Sequence, residues 1–267
     1  ALIFPISLLR VNFIELIGKL LSMPISSDIQ FFSCSDPGKV RRNNEDFLKI
    51  DSTLQIAAIA DGMGGNDYGE VASQLAVDAC IEYLRQTSGD VLDKYPCREL
   101  GNAIKYANET IITIQRNEEK YRSMGTTLTC LWVTDDQLHY SWVGDSRIYL
   151  IRSLDKTIKQ LTTDHTLDRD KIDATLAPDL YRRAPSILTQ KIGSILLIKP
   201  DSDSTQIGPG DIVLACTDGL SDKVSDELML DYAIGFKHSL NEYGEKLLDR
   251  ALDCGGQDNI SFILARL

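Results

Sequence analysis

The sequence predicts an α+β domain. Two stretches of helical apolar spacing come first, a run of adjacent β-branched and aromatic segments follows, and a second pair of helical stretches precedes one last strand. Helices grouped around runs of neighbouring strands imply antiparallel sheets with helices packed outside, not the strict strand–helix alternation of a nucleotide-binding sheet.

In chain order, "IAAIADGMGG" (residues 56–65) is an apolar run that reads as a buried strand ending on an acid and then on glycines. Val71, Ala72, Leu75, Ala76, Ala79, Cys80 and Leu84 then fall at helical spacing, as do Leu100, Ala103, Ile104, Ala107, Ile111 and Ile114. Residues 128–133 and 138–143 are strand-like and are separated by the turn-like "TDDQ", and residues 147–151 continue the theme. A polar, irregular stretch covers about residues 164–185, after which "DIVLACTDG" repeats the device of an apolar strand ending in Asp-Gly. Helical patterns near 226–236 and 240–252 precede a strand at 260–264. From Ile29 onward there is no repeat, low-complexity linker or Pro/Gly/Ser tract, so residues 29–267 read as one domain and residues 1–28 as an N-terminal extension.

Composition narrows the function. The chain has 267 residues, 43% of them hydrophobic, enough for one large core. With 28 Lys and Arg against 39 Asp and Glu, the net charge is −11, and no basic block could neutralise a run of phosphates, so nucleic acid is not an expected partner. Six cysteines without a C-x-x-C pair, mostly in apolar stretches, argue for a reduced, cytoplasmic setting. Residues 1–23 are apolar but interrupted by Arg10, Glu15 and Lys19, and read as an amphipathic appendage. Membrane contact, or a natural start at Met23 with an upstream extension before it, are the other readings of this segment.

Four aspartates share one kind of address. Asp61 and Asp218 end apolar runs, Asp145 follows one, and Asp258 immediately precedes another. If those ends converge, the fold gathers anionic groups whose burial is costly unless a cation compensates. Oxygen ligands without His or Cys partners point to Mg²⁺ or Mn²⁺, and several Asp around two close ions suit a metal-bridged attack on phosphate. A lone Asp-Gly after a strand is ordinarily only a turn, but four such acids together are harder to assign to turns. Gly62, Gly64 and Gly65 fit a close approach of backbone to a metal.

Other phosphate chemistries fail on the residues. Gly64 and Gly69 have P-loop spacing, but Glu70-Val71 stands where Lys-Ser/Thr is needed, and no G-x-G-x-x-G or Arg-rich loop after a cysteine is present. His139, His165 and His238 are too scattered for a zinc site and read as structural or surface residues.

"RRNNEDF", "ADGMGG", "GTTLT", "VGDSRIYLIR", "LTTDHT", "ACTDGLSD" and "GQDNISFI" occur in this order, and over residues 31–267 the chain resembles the metal-dependent protein Ser/Thr phosphatases (type 2C, the PPM family), most nearly its bacterial branch. The resemblance implies a four-layer α/β/β/α sandwich of two antiparallel sheets flanked by helices, with two Mn²⁺ or Mg²⁺ ions at one end and a third, weaker ion. It implies that Asp61 bridges both ions, that the Gly62 carbonyl helps hold one and that Asp218 and Asp258 bind the other. Glu45 acts near them through water, and Asp145 and Asp222 match the positions of the third ion. Arg41 stands where the family grips the substrate phosphate, a task suited to planar, paired donors. Asn43, Asn44 and Asp46 would orient that loop, and Asn259 would fix Asp258.

The implied activity is hydrolysis of phosphoserine and phosphothreonine in phosphorylated proteins by a water bridging the two ions, opposite a bacterial Ser/Thr kinase and as a monomer. Two other readings are a catalytically weak binding module, which the intact ligand set argues against, and a regulatory phosphatase of the anti-sigma-factor-antagonist type. Two features depart from the family pattern. Met63 stands where eukaryotic members carry a histidine suited to protonating the leaving group, and "LDRDKIDATLAPDLYRRAP" replaces the usual flap with its "ITxEEA" segment, although "RRAPSILTQKIGS" keeps the end of that region.

Overall fold

The computed structural model describes residues 29–63, 68–194 and 197–267. The expected extension at residues 1–28, its membrane contact, and Gly64 and Gly65 lie outside the described residues. Among the described residues no helix is long and apolar enough to cross a membrane.

The strands are β1 (Gln30–Asp36), β2 (Asp46–Asp51), β3 (Ile56–Met63), β4 (Gly125–Thr126), β5 (Leu128–Val133), β6 (Gln137–Val143), β7 (Arg147–Arg152), β8 (Thr157–Gln160), β9 (Asp201–Gln206), β10 (Asp211–Cys216) and β11 (Ile260–Arg266). The helices are α1 (Gly69–Gln86), α2 (Gly89–Lys94), α3 (Pro96–Asn117), α4 (Pro178–Arg183), α5 (Asp218–Ser221), α6 (Asp226–Gly235) and α7 (Leu240–Asp253). One sheet runs β1-β11-β10-β7-β8, the other β2-β3-β5-β6-β9 with β4 added to β3, and every pairing is antiparallel.

Strand alternation explains the layers. In β3, Ile56, Ala58 and Ala60 pack against α1 and α3, while Ala57 and Ile59 point into the space between the sheets. In β10, Ile212, Leu214 and Cys216 face α6 and α7, while Val213 and Ala215 meet the other sheet. Both faces are buried, and this is why these strands read as unbroken apolar runs. Three cores therefore stack as helix on sheet, sheet on sheet and sheet on helix, the expected α/β/β/α sandwich. The helices fall where their apolar spacing predicts, with Ser225 and Ser239 capping α6 and α7 by accepting from the backbone N–H groups of Leu228 and Glu242.

Strand β9, "DSDSTQ", has no counterpart in the sequence reading. It is polar and almost wholly exposed, an edge strand specified by its pairing with β6 and not by burial. The stretch expected to be irregular at residues 164–185 contains only the short α4 and two single turns of tighter helix.

Candidate metal centre

The site forms where the two sheets end together. Asp61 lies inside β3, which continues to Met63; Asp145 follows β6, Asp218 opens α5 just after β10, and Asp258 sits just before β11. With Arg41, Glu45 and the Gly62 backbone they line one cleft of about 360 Å³, which Met63, Ser186, Leu188 and Asn259 complete. Asp222 is the exception among the metal-binding and catalytic residues expected from the sequence. It lines a neighbouring cavity of about 190 Å³ that shares Asp218 and Asp258 with the cleft.

Each side chain is held by its backbone. The Asp61 N–H donates to Thr127 Oγ1 (2.8 Å), and its carbonyl accepts from Thr126 Oγ1 (2.8 Å) and the Thr127 N–H (2.9 Å). Thr126 and Thr127 are fully buried, so the peptide groups on both sides of the Asp61 Cα are fixed. The Glu45 carbonyl accepts from the Gly62 N–H (3.0 Å) and Ser73 Oγ (2.6 Å), and its own N–H donates to Asn259 Oδ1 (2.8 Å). A Cβ on Gly62 would collide with the carbonyl oxygens of both Gly69 and Glu45, so only glycine lets β3, the Glu45 loop and the start of α1 meet here.

Arg41 reaches across the cleft, its Nη2 donating to Asp258 Oδ2 at 2.8 Å. Asn259 holds the Arg41 loop more than it holds Asp258: its amide donates to the carbonyls of Pro37 (3.0 Å) and Asn43 (2.9 Å), while its backbone N–H donates to Asp258 Oδ1 (2.9 Å). Asn44 ties the same loop to Ser35, donating to its Oγ at 2.8 Å. Asp46 lies directly opposite Asp61 in the β2–β3 ladder and accepts from Thr217 Oγ1 (2.9 Å) on the other sheet.

Crowding the acids raises their proton affinity. Burial, then repulsion from Asp46, Asp218, Asp145 and Asp258, lifts Asp61 well above the ordinary carboxylate range. Asp145 rises to about 7 through burial and the charges of Asp218 and Asp164, and Asp218 to about 6 through burial and the charges of Asp258 and Asp222. Asp46, mainly through burial and against the hydrogen bonds it accepts, rises to about 7. Among the described residues no three acidic, His or Cys side chains close into a compact ligand group, and the acids instead line an open cleft. Asp218 Oδ1 is buried there without a hydrogen-bond partner. An orphaned carboxylate oxygen in a crowd of acids, with an all-oxygen donor set, fits a hard divalent cation.

The family model for protein phosphatase 2C matches residues 39–259. The chain belongs to the protein phosphatase 2C family. It is 34% identical over 241 residues to the serine/threonine protein phosphatase PstP of Mycobacterium tuberculosis, covering 89% of this chain and 45% of PstP, so it spans about half the length of that relative. Protein phosphatase PhpP of Streptococcus pneumoniae is 33% identical over 245 residues, 87% of this chain and 95% of PhpP. Among solved structures, the catalytic domain of PstP in complex with two manganese ions superposes with a TM-score of 0.73 at 32% identity, covering 89% of this chain and 97% of that one.

Within this protein phosphatase 2C domain, Ser186 and Leu188 escaped the sequence reading. They come from "RRAPSILTQKIGS", just after the divergent flap, and reach the cleft because that segment folds back along it, with Thr166 bridging to Leu188 and the Leu167 N–H donating to the Ile187 carbonyl (2.9 Å). The supporting roles of Thr126, Thr127 and Thr217 were also missed: Thr217 stands next to Asp218 in "ACTDGLSD", but "GTTLT" has no acid beside it in the chain and meets Asp61 only in the fold.

Proposed function

We propose that this chain is a metal-dependent protein serine/threonine phosphatase whose cleft holds two Mn²⁺ or Mg²⁺ ions and a third, weaker one. The observation that carries the reading is the convergence of Arg41, Glu45, Asp61, Asp145, Asp218 and Asp258 on one cleft, with a buried oxygen of Asp218 lacking any partner. Asp61, the Gly62 carbonyl, Glu45, Asp218 and Asp258 would hold the two ions, with Asp61 shared between them, and Asp145 with Asp222 would hold the weaker one. When bound, the ions supply an activated water nucleophile at neutral pH and positive charge for the phosphate oxygens.

The chain's own groups do the rest. Arg41 grips the phosphate with paired guanidinium donors and stabilises charge building on its oxygens; its one bond to Asp258 leaves further N–H groups for the substrate. The backbone clamp on Asp61 keeps that carboxylate in place while charge around it changes. The thioether of Met63, on the cleft wall, has no proton to give, so the leaving serine or threonine oxygen takes its proton from water. Ser186 and Leu188 border the space beside the phosphate and meet the residues flanking the phosphorylated one.

The substrates are phosphorylated proteins, opposite a Ser/Thr kinase. Residues 29–267 act as the phosphatase domain, as a monomer, with residues 1–28 an extension to it. Six free thiols support a reduced, cytoplasmic setting. The test is hydrolysis of a phosphothreonine peptide with Mn²⁺, with Mg²⁺ and with chelator, wild type beside Asp61→Asn. Turnover that needs metal and disappears in the variant is expected. Well-folded, metal-loaded wild type that turns nothing over would overturn the reading and leave a phosphoprotein-binding module in its place.

A further inference from the structure

The motif "LTTDHT" is joined to "VGDSR" at two points. Arg147 grips Asp164 with two parallel bonds, Nε to Oδ1 at 3.1 Å and Nη2 to Oδ2 at 2.7 Å. One residue further on, His165 takes both backbone polar groups of Gly144: the Gly144 N–H donates to His165 Nδ1 (3.1 Å), and the His165 N–H donates to the Gly144 carbonyl (3.0 Å).

Gly144 needs such a clamp. Its φ of +113° is one that other residues rarely adopt, and a Cβ there would stand 2.5 Å from the Thr127 methyl. The turn therefore presents Asp145 from a backbone shape that the flanking strands do not impose by themselves. The His165 ring is only 8% exposed and stacks on Trp142 at 6.0 Å between centroids and 14° between planes. Its Nε2 lies 3.2 Å from Asp201 Oδ2 on β9. Because Nδ1 accepts from Gly144, the ring proton sits on Nε2 and is donated to Asp201, which fixes the tautomer as well as the ring plane.

We propose that His165 is a positioning residue for the metal centre, holding the Gly144–Asp145 turn so that Asp145 stays in the cleft. The same residue ties the turn to the segment that carries Leu188, since its carbonyl accepts from the Thr189 N–H at 2.7 Å. This assignment rests on the metal-centre reading above, and it follows the general pattern in which partners one step removed from an ion set the orientation of its ligands.

The test compares wild type with His165→Asn, His165→Ala and, as reference, Asp145→Asn. Asparagine keeps an acceptor near the place of Nδ1, whereas alanine removes it. His165→Gln, which fills volume but carries its amide past Gly144, replaces the alanine variant if that one fails to fold. Mn²⁺ binding is measured calorimetrically without substrate, and the metal-free protein is examined by amide exchange at Gly144 and by ¹⁵N NMR of the His165 ring.

At the weaker Mn²⁺ site, the one assigned to Asp145, wild type and His165→Asn should bind within about threefold of each other, and His165→Ala about tenfold more weakly, in the direction of Asp145→Asn. The Gly144 amide should exchange slowly in the first two and fast in the third, and the ring should carry its proton on Nε2. Unchanged Mn²⁺ affinity in His165→Ala, or a His165→Asn as impaired as the alanine variant, would overturn the assignment, as would a proton on Nδ1. Wild type that binds Mn²⁺ but hydrolyses no phosphopeptide would sink the phosphatase reading alone, the binding comparison still deciding the role of His165. Wild type that binds no Mn²⁺ would overturn both.

Discussion

Arg41 and Asp258, 217 residues apart in the chain, meet in an ion pair with Nη2 and Oδ2 2.8 Å apart. The pair joins the loop before β2 to the start of β11 across the mouth of the cleft. Its side chains are 51% and 36% exposed, so solvent screens it and its worth in stability is small. Its consequence is positional: a guanidinium already stands at the acids and can transfer to a phosphate.

Arg41→Ala should therefore lower kcat/KM for a phosphothreonine peptide by about 10- to 100-fold, through KM for the lost charge-assisted bonds to the substrate and through kcat for the lost stabilisation of building charge. Arg41→Lys should recover only part of this, because a point charge cannot grip two oxygens in one plane. Steady-state kinetics checks the split, and thermal unfolding should move by no more than about 2 °C in either variant. A large fall in melting temperature with an unchanged KM would show Arg41 to be structural.

Asp61→Asn should abolish metal-dependent turnover while leaving the metal-free protein at least as stable as wild type. Asp61 is disfavoured in its ionised form, by burial and by four neighbouring carboxylates, and the amide keeps its shape without its charge. Thermal melts with chelator and with Mn²⁺ check this. Wild type should gain stability on adding Mn²⁺ and the variant should gain little. An equal gain in both would remove Asp61 from the ligand set.

The same electrostatics sets a pH dependence. Asp46 and Asp145 are raised to about 7 and Asp218 to about 6, all above their unfolded values near 3.8. The folded state thus holds protons that the unfolded chain has released, and the stability from these groups is full below about pH 4 and lost as pH rises through 6 to 7. Metal-free protein should lose stability between pH 5.5 and pH 8 on this account, and Mn²⁺ should restore most at pH 8. Below pH 7, Mn²⁺ binding should release protons, seen as a calorimetric enthalpy that varies with the buffer's ionisation heat. Metal-free stability that rises over this interval would contradict the picture.

The legible parts of the sequence are those where burial writes a pattern. β3, β5, β10 and β11 are covered on both faces, so their apolar runs stand out, and the acids beside β3, β10 and β11 mark the ends that converge. β9 carries no such signal because it is a polar edge paired to β6 by backbone bonds and the Ser141 and Ser202 hydroxyls, not by apolar burial. Ser186 and Leu188 were hidden for a related reason: they reach the cleft through the path of a polar segment, which no local periodicity encodes. Asp222 is the converse case, one residue past the short helix that Asp218 opens, and the turn of that helix carries it round to the adjoining cavity.

The buried hydroxyls behind Asp61 give the last prediction. Thr127 Oγ1 accepts from the Asp61 N–H and lies 2.8 Å from Ser146 Oγ, next to Asp145, so one side chain links the backbones that present two of the acids. Thr127→Val keeps the volume but leaves the Asp61 N–H without an acceptor where no water reaches it, which costs about 1–3 kcal/mol. At this chain length the melting temperature should fall by roughly 3–10 °C. Turnover should fall with it, since the pinned peptide is the one that carries Asp61. Thr127→Ser retains the hydroxyl and loses only a methyl, so its cost should be about 1 kcal/mol with activity largely kept. Differential scanning calorimetry and phosphopeptide kinetics on both variants decide the point. A serine variant as inactive as the valine one would mean that packing against Gly144, and not the hydrogen bond, is what Thr127 supplies.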